Sequence, residues 1–467
     1  MKRGASARLL AALAAGSLLV AACSGDDEST DGTTAETTAE TSGGETTVAD
    51  TSGSETTVAE TTPEAEGWAV DTEACIDPDA ANAPIEGEIK IGSAMPLTGG
   101  VAAAAFAPVK GGFEAYINYA NEKGLLGDLK VSATIEDDQY NKDLTPGAVS
   151  KQIDAGVHIF SGIIGSPNNA AVRDTLNEEC IPQLNALTGS PAWGQVDEYP
   201  WTTGILVPYT VESKVYAAQL AELYPDGAKV ALFYVNNEFG QVYADAFKEL
   251  AADYNLEIVD EQTIEATDAA PPTSQITSIA SKAPDVVMAV PLGAGCIGFL
   301  TELAAAKAQN AGWTPATFIT NTCASSLILG AAGAAADGLY TSGNLKDVVA
   351  PSNAEDPAVA EYLAYMESQG LADIAATAAA GWTTAEVTVA IIKQAMESPE
   401  GLTRASIINA ARNFEYTPML AREGVVDTMN GADDPFLAES LQVLQYDFET
   451  ATFTDIGELI TEFETTS

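Results

Sequence analysis

Two loops rich in Ser, Thr and Asn contain the residue types best suited to binding chemistry. Residues 165–169 (GSPNN) and 188–191 (TGSP) each follow a predicted strand, and a predicted helix follows the first loop. A helix N-terminus presents unpaired N–H groups and the positive end of the helix dipole, which suit a carboxylate. Helix capping is the alternative role, because Ser, Thr and Asn are preferred N-cap residues.

Residues suited to catalysis are few. Asp137 and Asp138 are adjacent, and neighbouring side chains on a strand point to opposite faces, so a role in ordering the loop is favoured over an acid/base pair. The one histidine, His158, lies in an apolar run, which favours a buried structural role. The sequence has no Walker loop or dinucleotide fingerprint. We therefore predict a binding protein rather than an enzyme, with no cofactor and no metal.

The N-terminus has the pattern of an export signal. A basic start precedes an apolar run of about a dozen residues, short of the roughly 20 that span a bilayer, and small residues follow. Residues 19–23 (LVAAC) resemble the bacterial lipoprotein signal, whose cysteine becomes acylated. We predict a signal peptide over residues 1–22 and lipidation of Cys23, which would anchor the chain outside the cell membrane. An ordinary signal peptide with an incidental cysteine is the alternative.

The segment after Cys23 has the composition of a disordered tether. It consists almost wholly of Thr, Ser, Glu, Asp, Gly and Ala, and residues 41–50 (TSGGETTVAD) are nearly repeated in residues 51–60 (TSGSETTVAE). Such a segment lacks the apolar surface that offsets the entropy of an ordered chain. We predict a tether over residues 23–67 and a short N-terminal extension over residues 68–85.

Charge and cysteine content limit the partners further. The net charge of −47 argues against nucleic acid or an anionic lipid surface as a partner, because both need basic patches. No later segment is apolar and long enough to predict a membrane span, so the membrane contact is the anchor alone. Four further cysteines in an exported chain indicate two disulfides with three possible pairings; these are Cys75, Cys180, Cys296 and Cys323.

The elements that must position these residues alternate between strand and helix. Short apolar runs and amphipathic stretches follow one another between residues 89 and 187, and the cycle restarts between residues 211 and 320. Such alternation predicts βαβ units and parallel sheets. The expected fold class is therefore α/β, with two doubly wound lobes, and residues 441–448 and 452–459 add an antiparallel hairpin.

Several short motifs together carry a family resemblance. The chain has the motifs IKIG and PLTG near residue 90 and NNEFG near residue 237. Between them lie GGF at residues 111–113, the dipeptide Ile-Asn at 117–118 and EDDQ at 136–139. Over residues 88–459 it resembles the type I periplasmic binding proteins, specifically the branched-chain amino-acid receptors of ABC importers. The resemblance implies three crossings between the lobes, forming a three-strand hinge. Lobe 1 would comprise residues 86–205 and 344–422, and lobe 2 residues 206–343 and 423–467.

The resemblance also implies a ligand site in the cleft between the lobes of a monomer. In these receptors the matching loops bind the ligand carboxylate, which indicates Ser166, Thr188 and Gly189; Thr188 matches only if one residue is inserted. We expect an apolar wall from Phe106, Trp193, Tyr209, Phe239 and Leu292.

Three positions depart from the amino-acid receptors. Phe239 replaces a tyrosine, Thr322 lies where an acidic residue would bind the ligand ammonium, and Ala104 replaces an aromatic residue. An ammonium group enclosed without a carboxylate is costly. The hypothesis is therefore a carboxylate or amide with an apolar or aromatic body, delivered to the ABC permease. A ligand sensor of the same fold and a surface adhesin are the alternatives.

The implied topology also suggests a disulfide pairing. Cys296 and Cys323 each follow a strand of lobe 2, so neighbouring loops would bring them together. Cys75 lies in the N-terminal extension and Cys180 just before a strand of lobe 1. We predict the pairs Cys75–Cys180 and Cys296–Cys323.

Overall fold

A computed structural model describes residues 67–100 and 102–461. The signal peptide, Cys23 and the tether therefore lie outside the described residues. The strands are β1 (Glu88–Met95), β2 (Lys130–Asp137), β3 (Ile159–Ser161), β4 (Gln183–Ala186), β5 (Thr202–Gly204), β6 (Ala228–Val235), β7 (Leu256–Ile264), β8 (Val286–Val290), β9 (Ala316–Ile319), β10 (Tyr340–Gly343), β11 (Asn413–Tyr416), β12 (Asp427–Asn430), β13 (Leu441–Asp447) and β14 (Thr452–Ile460). The helices are α1 (Pro78–Asn82), α2 (Ala102–Lys123), α3 (Thr145–Asp154), α4 (Ser166–Glu178), α5 (Tyr209–Leu223), α6 (Glu238–Ala251), α7 (Thr273–Lys282), α8 (Ala294–Gln309), α9 (Ser326–Ala332), α10 (Pro357–Ser368), α11 (Ala375–Ala395) and α12 (Arg404–Arg412).

Two parallel sheets form the centres of two lobes. The sheet of lobe 1 has the order β2-β1-β3-β4-β5 and is parallel throughout. The sheet of lobe 2 has the order β7-β6-β8-β9-β10-β13-β14. Its first five strands are parallel, and the final hairpin adds two antiparallel strands. Strands such as β6 and β8 are apolar and buried because helices cover both faces of the sheet. The predicted α/β fold class is confirmed.

Helices α2 and α11 form the tightest contact in lobe 1. A Cβ atom on Gly112 would lie 1.9 Å from the carbonyl oxygen of Ala378, and one on Gly381 would lie 1.9 Å from that of Val109. The two glycines therefore let the helix backbones touch. This packing brings the beginnings of both helices to the same edge of the lobe, beside the cleft.

Helix α11 also corrects one expectation from the sequence. With its preceding turn it spans Ala372–Ala395, and its length and composition would allow it to cross a membrane. However, 72% of its apolar window is buried inside the protein. Its side chains form the core of lobe 1 around Trp382. Its apolar character is therefore explained by burial in the core.

The boundary of lobe 1 lies further along the chain than the expected residue 422. Strand β12 pairs with β11, and the side chains of Met429 and Leu437 pack into the core of lobe 1. Leu441 and Val443 of β13 belong to the core of lobe 2. The last crossing between lobes therefore follows Leu437, because the β11–β12 ribbon needs the apolar surface of α12 beneath it.

Two disulfides join the cysteines in the expected pairs. Cys75 is bonded to Cys180 and Cys296 to Cys323. The first fastens the N-terminal extension to lobe 1, beside a hydrogen bond from the Ile76 N–H to the Glu178 carbonyl (3.1 Å). The Asn413 side chain also binds the extension, pairing with the backbone N–H and carbonyl of Trp68. The folded part is thus fixed at the end where the tether would join it.

Candidate functional site

A cavity of about 260 Å³ lies between the two lobes. Lobe 1 contributes Tyr140 and Gly165, which follow β2 and β3, and lobe 2 contributes Phe239 and Leu292, which follow β6 and β8. In each sheet the strand order reverses at this point, since β1 lies between β2 and β3 and β6 lies between β7 and β8. Ligands of parallel α/β sheets bind at such switch points.

Aromatic rings form much of the cavity wall. Phe106 and Tyr140 of lobe 1 stack with their centroids 6.2 Å apart. In lobe 2 the ring of Tyr209 contacts that of Phe239 edge-on at 5.3 Å and stacks on that of Tyr243 at 4.4 Å. Aliphatic side chains complete the wall, which therefore suits an apolar or aromatic ligand body; they include Val109, Ile164, Leu187, Leu206, Leu292 and Ile328.

A strained turn places Tyr140 in this wall. Gln139 and Tyr140 have φ angles of 56° and 58°, a conformation that costs energy for residues other than glycine. The buried Asp138 carboxylate stabilises the turn by accepting hydrogen bonds from the Tyr140 N–H (3.1 Å), the Thr145 hydroxyl (3.0 Å) and the Asn168 amide (2.9 Å). Burial raises the pKa of Asp138, and these donors oppose that rise.

The neighbouring Asp137 points elsewhere, as expected for adjacent residues on a strand. Its carboxylate accepts hydrogen bonds from the backbone N–H groups of Leu97 (2.9 Å) and Thr98 (3.2 Å), and these bonds lower its pKa. The two acids thus order different loops. His158 is half-buried, and its Nδ1 accepts a hydrogen bond from the Lys90 N–H (2.9 Å), a structural contact.

Charged side chains reach the cavity where residues 344–347 and 420–422 run side by side. Lys346, Asp347 and Arg422, here called the charged edge, line one end of it. Lys346 pairs with Asp356 at 2.7 Å, and one nitrogen of Arg422 pairs with Asp455. Asp347 accepts hydrogen bonds from the backbone N–H groups of Ser326 (3.0 Å) and Val349 (3.2 Å). Polar lining residues at this edge and on lobe 2 include Asn321, Thr322, Ser325, Ser342 and Asn344.

A buried carboxylate supports the floor of lobe 2. Glu212 is fully buried and accepts hydrogen bonds from the hydroxyls of Tyr216 (2.6 Å), Tyr243 and Ser342 (2.9 Å) and from the Asn321 N–H (2.8 Å). Burial raises its pKa, and these donors oppose that rise. Because Asn321 and Ser342 line the cavity, Glu212 fixes the loop after β9 and the end of β10 from behind.

Within residues 67–100 and 102–461, no group of three or more His, Cys, Asp or Glu side chains could hold a metal ion. A family model described as periplasmic binding protein matches residues 88–445, well over half of the chain. The chain belongs to the periplasmic binding protein family.

Solved structures share this fold at low sequence identity. A branched-chain amino acid ABC transporter protein from Thermus thermophilus, with bound valine, is 19% identical, with a TM-score of 0.70 over 80% of this chain and 97% of that one. A fatty acid ABC transporter substrate-binding protein from Thermomonospora curvata is 17% identical, with a TM-score of 0.67 over 81% and 94%. An R. palustris solute binding protein in complex with 4-hydroxybenzoate is 19% identical, with a TM-score of 0.65 over 80% and 97%. Among curated protein sequences, none matches this chain.

Half of the residues predicted for the site of this periplasmic binding protein line the cavity. These are Phe106, Tyr209, Phe239, Leu292 and Thr322. They share a simple sequence signal, since each lies in a loop after a strand or in the first turns of the following helix.

The other predicted residues do not line the cavity. Ala104 is exposed, while its neighbours Ala105 and Phe106 face inward. Trp193 is buried in lobe 1 beneath the Arg173 guanidinium, which lies 5.2 Å from the centre of its ring. Ser166, Thr188 and Gly189 are buried behind the ring of Tyr209. The strand-end position of these three was visible in the sequence, but the ring that covers them was not.

The charged edge and Tyr140 were not predicted from the sequence. Lys346 and Arg422 are 76 positions apart and lie in two segments that meet only at the bridge between Leu345 and Ala421, so no motif joins them. Tyr140 follows the EDDQ motif directly. A strand-end position was therefore the available signal for Tyr140.

Proposed function

We propose that this protein is the extracytoplasmic substrate-binding component of an ABC importer. Its ligand is a small carboxylic acid or amide with an apolar or aromatic body. The observation that carries this proposal is an interlobe cavity with aromatic and aliphatic walls and a charged edge at one end. The valine, fatty acid and 4-hydroxybenzoate named for the structural neighbours are all carboxylic acids, which supports this class.

The polar residues favour an acid or amide over an α-amino acid. Thr322 lines the cavity where the amino-acid receptors would have an acidic residue. Among the described lining residues, the carboxylate is that of Asp347, and it already accepts hydrogen bonds from two backbone N–H groups. Lys346 and Arg422 place cationic nitrogens at the same edge, and each also forms an ion pair, with Asp356 and Asp455 respectively. Charge-assisted bonds from these groups suit a carboxylate or an amide oxygen.

The mechanism needs only binding and closure. A ligand that contacts both lobes stabilises the arrangement in which they meet, and a hinge of a few residues allows the movement. The closed cavity then holds the ligand away from water until the permease opens the lobes.

Lipid anchoring is the second part of the proposal. Residues 1–22 would be removed as a signal peptide, Cys23 would carry the lipid, and residues 23–67 would form the tether. Mass spectrometry of the membrane fraction should find an acylated Cys23, and Cys23→Ala should release the protein into the medium. Retention of Cys23→Ala in the membrane would contradict the anchor.

A thermal-shift screen tests the ligand class. Each apolar body should be offered as the acid, the primary amide, the amine and the α-amino acid, since binding raises the apparent stability by mass action. We expect acids and amides to raise the Tm and amines to leave it unchanged. A rise with α-amino acids alone would overturn the proposed class. Stimulation of ATP hydrolysis in a reconstituted permease would separate the importer from a sensor.

A further inference from the structure

The loop hydroxyls that suit a carboxylate are already satisfied within the chain. The hydroxyls of Ser166 and Thr188, here called the hydroxyl pair, hydrogen-bond to each other at 2.8 Å. The Thr188 oxygen also accepts a hydrogen bond from the Ser190 N–H (3.0 Å). Both side chains are at most 1% exposed. The hydroxyl pair therefore needs no ligand to complete its hydrogen bonds in this conformation.

The ring of Tyr209 separates the hydroxyl pair from the cavity. The backbone N–H of Tyr209 donates to the Gly189 carbonyl (2.7 Å), which draws the two residues together. A Cβ atom on Gly189 would lie 2.6 Å and 2.7 Å from two carbon atoms of the ring, so only glycine allows this approach. The edge of the ring thus lies against Gly189, beside Thr188 of the hydroxyl pair. Burial raises the pKa of the Tyr209 phenol, and hydrogen bonds with Gly189, Ser166 and Thr188 oppose that rise.

Packing holds the Tyr209 ring in this place. It stacks on the ring of Tyr243 with centroids 4.4 Å apart, and the Phe239 ring contacts both of them edge-on, at 5.3 Å and 5.6 Å. The Tyr243 hydroxyl is in turn bonded to the buried Glu212. Tyr209 is only 3% exposed, yet its ring forms part of the cavity wall. Moving the ring would therefore break an aromatic cluster as well as a hydrogen-bonded group.

We propose that Tyr209 is a specificity-determining residue whose phenol group occupies the place at the hydroxyl pair where a carboxylate would otherwise bind. The ligand then meets Tyr209 with an uncharged, apolar end, and its polar end lies toward the charged edge. This inference rests on the proposed function, since it assigns an orientation to the ligand in the same cavity. It also excludes ligands that need a second carboxylate at the Tyr209 end.

A double-mutant cycle with benzoate as the probe tests the assignment. Tyr209→Leu removes the ring and uncovers the hydroxyl pair, and Thr188→Val removes one hydroxyl at nearly constant volume. Calorimetry should show that Thr188→Val weakens benzoate binding at least tenfold more in the Tyr209→Leu background than in the wild-type background. Phe106→Leu is the matched control, because it removes a ring of the same cavity wall that stacks on Tyr140 rather than on Tyr209, and it should produce no such coupling.

Two results would overturn the inference. One is an equal effect of Thr188→Val in both backgrounds, and the other is an absence of benzoate binding in Tyr209→Leu. If far-UV circular dichroism shows that Tyr209→Leu does not fold, Tyr209→Phe decides. That variant keeps the ring but removes the phenol hydroxyl, so the hydroxyl pair loses a partner and the Tm should fall. An unchanged Tm would contradict the inference. Failure of the ligand screen would instead overturn only the proposed function, since the mutation itself opens the benzoate site.

Discussion

The Ser190 hydroxyl donates a hydrogen bond of 3.0 Å to Oε1 of Glu238 across the cleft. Ser190 lies in the loop after β4 of lobe 1, and Glu238 is the first residue of α6 of lobe 2. A hydrogen bond of Tyr140 of lobe 1 with Asn237 of lobe 2 lies beside it. These contacts exist only while the lobes meet, so they stabilise the closed arrangement relative to an open one.

Ser190→Ala should therefore weaken ligand binding. One hydrogen bond to a carboxylate is worth about 1 kcal/mol or somewhat more, which corresponds to roughly a five- to tenfold rise in Kd. Calorimetry with the ligand found in the screen measures this. Ser278→Ala is the matched control, because the Ser278 hydroxyl donates to the Asp260 carboxylate (3.0 Å) entirely within lobe 2. An equal loss of affinity in both variants would show that the Ser190 bond has no special role in closure.

Gly165→Ala should lower both stability and affinity. Its φ of +102° is unfavourable for alanine, and the new Cβ would lie 2.7 Å from the Tyr140 ring. The expected loss of unfolding free energy is about 1–3 kcal/mol, with Tyr140 displaced from the cavity wall. Urea denaturation and calorimetry measure the two effects. Gly147→Ala in α3 is the control, since its Cβ would meet nothing within 4 Å, and unaltered binding in both variants would contradict this role of Gly165.

Arg422→Gln should weaken binding of an acid about tenfold, because it removes a charged donor at the charged edge. The same variant should affect the matching amide less, since an amide oxygen carries no full charge. Lys282→Gln makes the same change in net charge on an exposed residue of α7 and should leave the Kd unchanged. If Arg422→Gln bound an amine more strongly than the wild type does, and if Asp347→Asn removed that gain, the charged edge would select cations instead.

The buried Glu386 should make stability fall as the pH rises. It is 3% exposed, its Oε1 accepts hydrogen bonds from Tyr416 and Met419, and its Oε2 has no partner. Burial raises its pKa from 4.5 to about 7. Asp427 of β12 has its pKa raised to about 7 by burial, with the charge of Glu386 as the next cause.

Between pH 4.5 and 7 the folded state keeps a proton on Glu386 that the unfolded state has lost. The unfolding free energy therefore decreases through this window, by up to about 3 kcal/mol, and levels off above pH 7. Urea denaturation at pH 5 and pH 8 should show a smaller decrease for Glu386→Gln than for the wild type. Glu367→Gln removes an acid from an exposed site and is the control. Identical decreases in all three proteins would contradict the role of Glu386.

The two disulfides should differ in their link to function. Replacing both Cys75 and Cys180 with serine should lower the unfolding free energy by about 2–4 kcal/mol without changing the Kd, because this bond fastens the extension far from the cavity. Replacing both Cys296 and Cys323 should lower stability and also weaken binding, since Cys323 lies between the lining residues Thr322 and Ala324. A changed Kd in the first variant would contradict this division.

The order of elements was predictable from local patterns. Alternation of apolar runs with helical stripes indicates βαβ units wherever the pattern is strong, and the antiparallel hairpin expected near the C-terminus forms as β13 and β14. The last lobe boundary was misplaced because the β11–β12 ribbon is held by long-range contacts with α12.

The sequence by itself determined the α/β class and the strand-end residues Phe106, Phe239 and Leu292 at the cavity. It also predicts that the N-terminus is an export signal. These depend on local periodicity and chain order. Tertiary structure alone decided that Tyr209 covers the hydroxyl pair and that Lys346 and Arg422 meet at one edge. The physical reason is that a ring's orientation follows from packing against distant residues such as Tyr243. Likewise, the segments that carry Lys346 and Arg422 are far apart in sequence and become neighbours only when the chain has folded.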